Sequence, residues 1–593
     1  MIPALRITTD AFQPELAPLG GSLVGSALIA LIPLLTVFVT LGWLRWKAHW
    51  AGLTAVLVAI IVAVLVYRMP PGLAVLSATE GAVFGLFPIM WIVFTAIVLY
   101  QITVVSGRFE DLRATFHLIS DDPRIQAIII AFCFGGLLEA LAGFGAPVAI
   151  TGVMLMALGF SPLRAAAVVL LANTAPVAFG AIGTPIITAG ALTKIPYTEI
   201  GAYVGHQTPF IAAFVPLLLV LMVDGKRGVR QTWPVALVVG LAFAVAQWVS
   251  ATYISVELTD IIASLVGLAT AVVFLTFWQP VGKEDAHASL AIERERDLAL
   301  VASGSSTADG SSDASRSSAA KSTTAAYAVS ATELETRARG LTSARIVMAL
   351  FPYLIVIAVF SIAKLVAPVK TWLATTDVKI PWPGLDGNVL TATGAKNTST
   401  IYTLPWLSGP GTSLLICSLI TAVVYGVSMA AWGKELTDTA YKMRFAFLTV
   451  ASVLALAYVM NLSGQTITVG TWIAGTGAAF AFFSPVLGWI GTAVTGSDTS
   501  ANALFATLQQ TAAKGAGLDP TLLVAANTSG GVVGKMISPQ NLTIAATAVG
   551  LVGRESDIFR KVILWSIGLI IAMCLLVGLQ SSVLSWILPV FAK

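Results

Sequence analysis

Three charged residues lie inside long apolar segments of this chain. Glu139 lies in FGGLLEALAGFGAP, Asp498 in TGSDTSAN and Lys535 in SGGVVGKMISPQN. Ionisable residues in such segments are rare and often mark ion or substrate pathways. Either acid could carry a proton, because an ionised carboxylate in an apolar interior is costly. Asp498 is favoured, since it lies in the same region as Lys535. The lysine could pair with a substrate carboxylate, with Asp498 or with a lipid phosphate, and static structural pairing is the alternative.

Glycine and proline interrupt the apolar sequence close to both acids. The residues predicted to break helices there are Gly143, Gly145, Pro147 and Gly496. A break frees backbone N–H and C=O groups that lipid cannot satisfy, so it is tolerated only where protein or water satisfies them. A helix that restarts at such a break presents free N–H groups and a positive dipole end. Both features suit a carboxylate.

A short motif recurs in two interrupted regions, about 125–190 and 467–550. The first contains LANTAPVAFGAIGTP and the second AANTSGGVVGKMISP, so residues 173–174 match 527–528, with a proline at the same distance beyond each pair. Matching breaks in two halves of a chain indicate a transporter binding site. Close packing by small residues is the alternative. The residues predicted to bind substrate are Asn173, Thr174, Asn527, Thr528, Ser529, Gly530 and Lys535.

The elements that must position these residues are membrane helices. Of 593 residues, 57% are hydrophobic and 10% are charged, whereas a soluble protein has about 25% charged residues. The predicted spans are 22–42, 50–67, 81–105, 203–223, 233–250, 258–278, 345–367, 410–432, 444–461 and 562–590. With the interrupted regions, the fold class is an all-α polytopic membrane protein of about 12–14 segments, including broken or re-entrant helices.

Basic residues determine the predicted orientation. The basic clusters lie at 45–47, 108–124, 226–230, 434–444 and 554–561. The positive-inside rule places these clusters in the cytoplasm, so both termini are predicted outside. The two interrupted regions then enter the membrane from opposite sides, as inverted-topology repeats.

A polar segment divides the chain into two membrane halves. Residues 280–344 are rich in Ser and Ala and carry mixed charges. We expect a cytoplasmic linker there, at least partly disordered, because it has too few apolar residues for a core. The N-terminal half is then 1–279 and the C-terminal half 345–593. A regulatory role of the linker is the alternative.

Several function classes lack support. The sequence has no GxxxxGK[ST] loop, no HExxH and no clustered His/Asp set, so we expect no ATP motor, metal site, cofactor or enzyme activity. No basic cluster interleaved with aromatics supports nucleic-acid binding. Cys133, Cys417 and Cys574 are expected to be packing residues. His206 could relay protons, although a hydrogen-bonded interfacial histidine is the favoured alternative.

Three long segments resemble the L-lactate permease family. They are LLEALAGFGAPVAITGVMLMALGFSPLRAAAVVLLANTAPVAFGAIGTPI at 137–186, TGSDTSANALFATLQ at 495–509 and LLVAANTSGGVVGKMISPQNLTIAATAVGLVGRESDIFR at 522–560. The resemblance covers nearly the whole chain outside the linker. It implies a permease of the bacterial inner membrane that takes up L-lactate, and in related members D-lactate or glycolate, by proton symport. Two features depart from the family pattern: the linker is longer and more Ser-rich, and His206 stands where some members have Arg.

Other modes of action stay open from the residues alone. The same fold could use Na⁺, with Asp498 and broken-helix carbonyls as ligands, or act as a passive facilitator. A membrane sensor would need a signalling module in 280–344, and a membrane enzyme would need a catalytic constellation; neither is recognisable. The expected partners are the bilayer, protons and a small 2-hydroxy monocarboxylate, and a homo-oligomer is compatible with the sequence.

Overall fold

The fold is a bundle of apolar helices. The computed structural model describes residues 11–117, 119–143, 145–304 and 340–591. Within these ranges, ten helices are long and apolar enough to cross a membrane, or eleven if the bent pair Pro162–Ala172 and Val177–Thr193 is counted as one span. The prediction of an all-α polytopic membrane protein with a broken or re-entrant segment is confirmed.

The N-terminal half contains fifteen described α-helices, and a sixteenth lies in the predicted linker. They are α1 (Leu23–Ala30), α2 (Ile32–Phe38), α3 (Ala48–Leu65), α4 (Pro71–Phe84), α5 (Trp91–Val105), α6 (Arg108–His117), α7 (Pro123–Gln126), α8 (Gly135–Ala142), α9 (Ala146–Ala157), α10 (Pro162–Ala172), α11 (Gly180–Thr193), α12 (Tyr197–Val204), α13 (Thr208–Ala212), α14 (Val215–Val249), α15 (Thr259–Phe277) and α16 (Lys283–Gly304). π-Helical turns continue α2, α4, α7 and α14.

The C-terminal half contains ten described helices and a two-stranded ribbon. The helices are α17 (Ser343–Leu365), α18 (Ala367–Thr375), α19 (Pro410–Val424), α20 (Met429–Ser463), α21 (Gln465–Ala474), α22 (Phe480–Thr495), α23 (Asp498–Gly515), α24 (Pro520–Gly534), α25 (Pro539–Ala548) and α26 (Glu555–Gln580). Strands β1 (Val378–Pro381) and β2 (Ile401–Leu404) pair antiparallel.

Several predicted spans have different bounds in the structure. The span predicted over 81–105 begins at Pro71, and the one predicted over 444–461 is part of Met429–Ser463. The span predicted over 410–432 ends at Val424. Gly426 adopts a φ of +68°, and the Ser428 hydroxyl caps the next helix by accepting a hydrogen bond from the Ala431 N–H. The span predicted over 562–590 instead runs from Glu555 to Gln580.

One face of the molecule is closed by a cap. The ribbon β1–β2 lies in the loop at 368–408, and Phe12 forms a bridge with Val389. The Thr468 hydroxyl also donates a hydrogen bond to the Leu16 carbonyl at 2.9 Å. The N-terminal segment and this loop therefore lie on the same face.

Ion pairs connect the segment that holds the basic cluster 108–124 to three other segments of the chain. Arg345 pairs with Asp111 at 2.7 Å, and the buried Arg124 pairs with Asp224 at 3.2 Å. Lys283, at the start of α16, pairs with Asp121 at 2.9 Å. The first part of the predicted linker is thus a helix docked on the N-terminal half, whereas residues 305–339 of that linker lie outside the described residues.

Candidate functional site

A cavity lies where several helices of both halves begin or end. Its lining residues are Glu139, Gly143, Gly145, Val177, Gly180, Ala181, Pro185, Gly496, Ser497, Asp498, Thr499, Lys535, Gln540 and Asn541. The cavity encloses about 400 Å³ of empty space, its open mouth included. Residues from the two interrupted regions thus form one site, although they are hundreds of positions apart in the sequence.

The first break lies between α8 and α9. Helix α8 ends at Ala142, and Gly145 precedes α9 with a φ of +87°. The positive φ favours glycine at this position, and an added Cβ atom would come within 2.4 Å of the Ile544 Cδ1, so that side chain would have to move. No described side chain caps α9. Its first N–H groups therefore lack a side-chain acceptor at the end that borders the cavity.

The second break follows α10. That helix ends at Ala172, and the chain then turns by 63° into the next helix. Within α11, three consecutive residues, Ala181, Ile182 and Gly183, adopt positive φ angles of 44°, 57° and 73°. Positive φ is uncommon for alanine and costly for a β-branched residue such as isoleucine. The regular part of α11 therefore starts at the cavity, close to Pro185.

The C-terminal half contributes two helix starts that are capped by serine. Ser497 precedes α23 and accepts a hydrogen bond from the Ser500 N–H at 3.3 Å. Ser538 precedes α25 and accepts one from the Asn541 N–H at 3.3 Å. Gly496, which ends α22, has a φ of +77°. Four helix N-termini, those of α9, the regular part of α11, α23 and α25, thus border one cavity, and their dipoles favour an anion there.

The second Asn-Thr pair is not at a helix break, which corrects the interpretation of the repeat. Asn527 and Thr528 lie inside the continuous helix α24, which ends only at Gly534. The break follows at Lys535–Ile537, directly before the Ser538-Pro539 start of α25. The corresponding segment of the first repeat is the distorted part of α11 before Pro185. The repeated feature is therefore the bend before the shared proline.

An ion pair connects the two halves at this cavity. The Lys535 Nζ lies 2.5 Å from the Glu139 Oε1 and donates a hydrogen bond to the Gly143 carbonyl at 3.0 Å. Both side chains are buried, with exposed fractions of 8% and 2%. A Cβ atom at Gly180 would come within 2.8 Å of the same carboxylate oxygen. Glycine at this position therefore makes room for the pair.

Asp498 lies at the start of α23 on the other side of the cavity. Its Oδ1 accepts a hydrogen bond from the Thr492 hydroxyl at 3.3 Å. Its buried Oδ2 has no partner among the described residues. A Cβ atom at Gly531 would come within 1.9 Å of Oδ1, so α24 can pass this carboxyl group only with a glycine there. Lys535 forms its ion pair with Glu139 and not with Asp498 in the described part of the chain.

The predicted substrate-binding residues divide into two groups. Lys535 lines the cavity, and Asn173 lies beside the Glu139 carboxylate. Thr174 donates to the Leu171 carbonyl at 2.7 Å within its own turn. The remaining predicted residues lie in α24, outside the cavity lining.

Polar partners inside the protein already engage those α24 side chains. Asn527 and Thr528 both donate to the Asn502 Oδ1, at 3.2 and 3.0 Å. Ser529 donates to the Gln207 Oε1 at 2.6 Å. A Cβ atom at Gly530 would come within 1.9 Å of the Pro485 carbonyl oxygen. This glycine therefore permits close packing of two helices, which was the alternative to a binding role in the sequence analysis.

Of the buried acids that the sequence reasoning missed, two lie in membrane-spanning helices. Asp260, in the first turn of α15, is 1% exposed, lies beside the Gln247 amide, and its charge interacts with those of Glu139 and Lys535. It is the single acid in the predicted span 258–278, so the criterion applied to Glu139 would have found it. Glu80 is fully buried in α4. The predicted span began at Gly81, one residue after it.

His206 does not line the cavity. Its Nδ1 lies 2.7 Å from the Ala202 carbonyl, so this nitrogen carries the proton. Its Nε2 accepts a hydrogen bond from the Trp248 indole at 2.9 Å. Both ring nitrogens are therefore engaged, as in the favoured alternative. In the described residues, no three His, Cys, Asp or Glu side chains form a group that could hold a metal ion.

Comparison with known proteins identifies the family. A family model described as L-lactate permease matches residues 26–584. The chain belongs to the L-lactate permease family. The L-lactate permease of Bacillus subtilis (strain 168) is 42% identical over 96% of this chain and 99% of its own length. The glycolate permease of Escherichia coli (strain K12) is 40% identical over 92% of this chain and 93% of its own. The family resemblance inferred from the sequence is thus confirmed, and the chain is a multi-pass membrane protein of a permease family.

Proposed function

We propose that this protein is a secondary transporter that takes up L-lactate, and also D-lactate and glycolate, by proton symport across the bacterial inner membrane. Family membership supports the substrate class, because relatives that match over nearly the whole chain are named L-lactate and glycolate permeases. The observation that carries the proposal is the cavity in which helix N-termini of both halves surround the Glu139–Lys535 pair.

The carboxylate of the substrate binds at the uncapped N-terminus of α9 and at Lys535. The N–H groups of a helix start and a lysine ammonium both recognise carboxylates. The 2-hydroxyl group of lactate or glycolate then forms hydrogen bonds with the amides of Asn173 and Asn541. Asn173 lies beside Glu139, and Asn541 lines the cavity. This arrangement favours a 2-hydroxy acid over a carboxylate without the hydroxyl.

Exchange of partners at Lys535 couples the proton to the substrate. An arriving anion competes with Glu139 for the lysine, and the released carboxylate would be a buried charge without a partner. Uptake of a proton by Glu139 removes that charge, so anion and proton enter the site together. Their combined charge is zero, which avoids a cost of about 2.3 kcal/mol per charge per 100 mV of membrane potential. The ion pair favours Glu139 over Asp498 as the first carrier.

Alternating access arises when the two interrupted regions rock against each other. The bends before Pro185 and Pro539, at matching places of the repeated motif, support an inverted-repeat arrangement. Ala181 corresponds to Lys535 in that match, so the charged part of the site is asymmetric. The cap face with the N-terminus is the outer face, and the ion-paired basic clusters face the cytoplasm.

Accumulation of labelled lactate into proteoliposomes tests this function. Lactate should be concentrated when the external solution is more acidic than the interior, in the absence of Na⁺. Glycolate should compete strongly, while pyruvate and acetate should compete weakly because they lack the 2-hydroxyl. Accumulation that requires Na⁺ would overturn proton coupling. Equilibration without accumulation would indicate a facilitator.

A further inference from the structure

A second, larger cavity lies on the cap side of the molecule. It encloses about 1080 Å³ of empty space, its open mouth included. Residues of the cap loop, such as Lys396 and Asn397, form one wall, and the C-terminal ends of α11 and α23 form another. None of the sequence motifs discussed above predicted this cavity.

Lysine side chains give this cavity a positive lining. Lys194, Lys396 and Lys514 all border it, and the described lining contains no acid. Two acids lie behind the lining: Asp386 pairs with Lys396 at 3.3 Å, and the charge of the buried Glu80 interacts with that of Lys194. Lys514, in the last turn of α23, has no ion-pair partner among the described residues. Lys194 forms no ion pair with Glu80 within 4 Å in the described residues, unlike Lys396 with Asp386, so the positive potential comes mainly from Lys194 and Lys514.

Polar groups complete the wall. The Asn461 amide donates to the Thr507 hydroxyl at 3.2 Å, and the Gln510 amide donates to the Thr193 carbonyl at 2.9 Å. All four residues line the cavity. A positively charged, hydrogen-bonding cavity of this kind collects small anions from water.

The same two helices border both cavities. Helix α11 packs against α23, and Pro185 lines the first cavity whereas Ala191 lines the second. On α23, Thr499 lines the first cavity and Thr507 the second. At 1.5 Å per residue these steps are about 9 and 12 Å. Only about two turns of helix separate the cavities.

We propose that the second cavity is an outer vestibule that binds small monocarboxylate anions weakly and passes them between α11 and α23 to the central cavity. This inference rests on the proposed function for its substrate and direction. The vestibule raises the local concentration of the anion at the outer end of the path. The lysines of the vestibule attract the substrate anion from the outer solution, and they do not take part in the Glu139–Lys535 ion pair.

Transport kinetics test the vestibule. The double variant Lys194→Gln/Lys514→Gln should raise the KM for lactate roughly 3- to 10-fold at an ionic strength of about 0.01 M, with an unchanged maximal rate. At about 0.15 M the difference should shrink, because the Debye length falls from roughly 30 to 8 Å. The matched control is Lys370→Gln/Lys379→Gln, which removes two exposed lysines outside the cavity. A KM within twofold of this control at low salt would overturn the proposal.

A chemical probe tests the vestibule without any substrate. Thr398→Cys places a thiol in the exposed wall of the cavity. The labelling rates of an anionic and a cationic methanethiosulfonate are measured and expressed as the ratio of anionic to cationic. This ratio should be higher in Thr398→Cys alone than in the variant that also carries Lys194→Gln and Lys514→Gln. An unchanged ratio would overturn the proposal even if lactate is transported. If the ratio changes but the wild-type protein moves no lactate, the proposed function fails and the anion vestibule stands.

Discussion

At the Glu139 carboxylate, a lysine from the other half of the chain provides the compensating charge. Because the Lys535 Nζ lies 2.5 Å from this carboxylate, the protonation state of Glu139 depends on what else the lysine binds. Each of the three acids Glu139, Asp498 and Asp260 has a buried oxygen without a described partner. In the described residues they differ in one respect: only Glu139 forms an ion pair with Lys535, so only Glu139 would lose that partner if an anion bound the lysine.

Glu139→Gln should abolish uphill accumulation of lactate and spare exchange of labelled for unlabelled lactate. Exchange need not return an empty, deprotonated carrier, so it does not require the proton step. Both activities are measured in the same proteoliposomes, with Asp121→Asn as a control at an exposed acid. If Glu139→Gln still concentrates lactate in response to a pH gradient, the proton follows another route, and Asp498→Asn is the next variant.

Lys535→Met should destabilise the protein by about 3–5 kcal/mol, because it leaves the Glu139 carboxylate buried without its partner. Adding Glu139→Gln should recover much of this loss, since the double variant has neither charge. Thermal unfolding in detergent measures both effects as a double-mutant cycle. Additive losses in the double variant would contradict the coupling of these two residues.

At the scale of the elements, glycines decide how closely helices approach the acids. Helix α24 passes Asp498 at Gly531, and α9 begins after Gly145 in the left-handed region. These positions place helix starts and carboxyl groups around one cavity. A side chain at either position would shift an element of the site, while the helices themselves could still form.

Gly531→Ala should abolish transport with near-normal membrane insertion, because its Cβ would come within 1.9 Å of the Asp498 Oδ1. Gly433→Ala is the matched control, since this helical glycine has no described atom within 4 Å of an added Cβ. Uptake rates are compared after normalising to the amount of inserted protein. Equal uptake by both variants would contradict the packing argument.

At the scale of the whole molecule, residues of both halves meet at the central cavity, and no residue of α16, the described helix of the linker, lines it. Helix α16 docks by the Lys283–Asp121 pair and by burial of Ala286 and Leu290. The cap loop and the N-terminal segment lie together on one face. The described part of the linker therefore packs on the N-terminal half outside the lining of the central cavity.

Deleting residues 305–325 should leave lactate uptake nearly unchanged. This stretch is Ser/Ala-rich and has too few apolar residues to pack, and the deletion keeps α16 intact. Uptake and membrane insertion are measured together. Loss of uptake with normal insertion would show that the linker takes part in coupling.

A membrane-impermeant maleimide applied to intact cells should label a cysteine at Lys379 and not one at Asp285. Both positions are exposed, and the proposed orientation places the first outside and the second in the cytoplasm. Permeabilised cells provide the control, in which both should be labelled. The opposite pattern would reverse the orientation.

The sequence by itself determined the membrane class, the positions of most helices and three of the charged residues that matter. These features are local: the length of an apolar run, a glycine beside an acid, and a charge in an apolar segment can each be recognised in the chain. Glu80 escaped because the predicted span began one residue after it, and Asp260 was not weighed although it lies alone in its span.

Only the tertiary structure decided which charges meet. Lys535 pairs with Glu139, 396 positions away, and not with the nearer Asp498. Asn527 lies in an unbroken helix because a polar residue is tolerated there once Asn502 and Gln509 bind its amide. Such contacts depend on how helices that are far apart in the sequence pack together. The spacing of residues along the chain contains no information on the distance between two such helices.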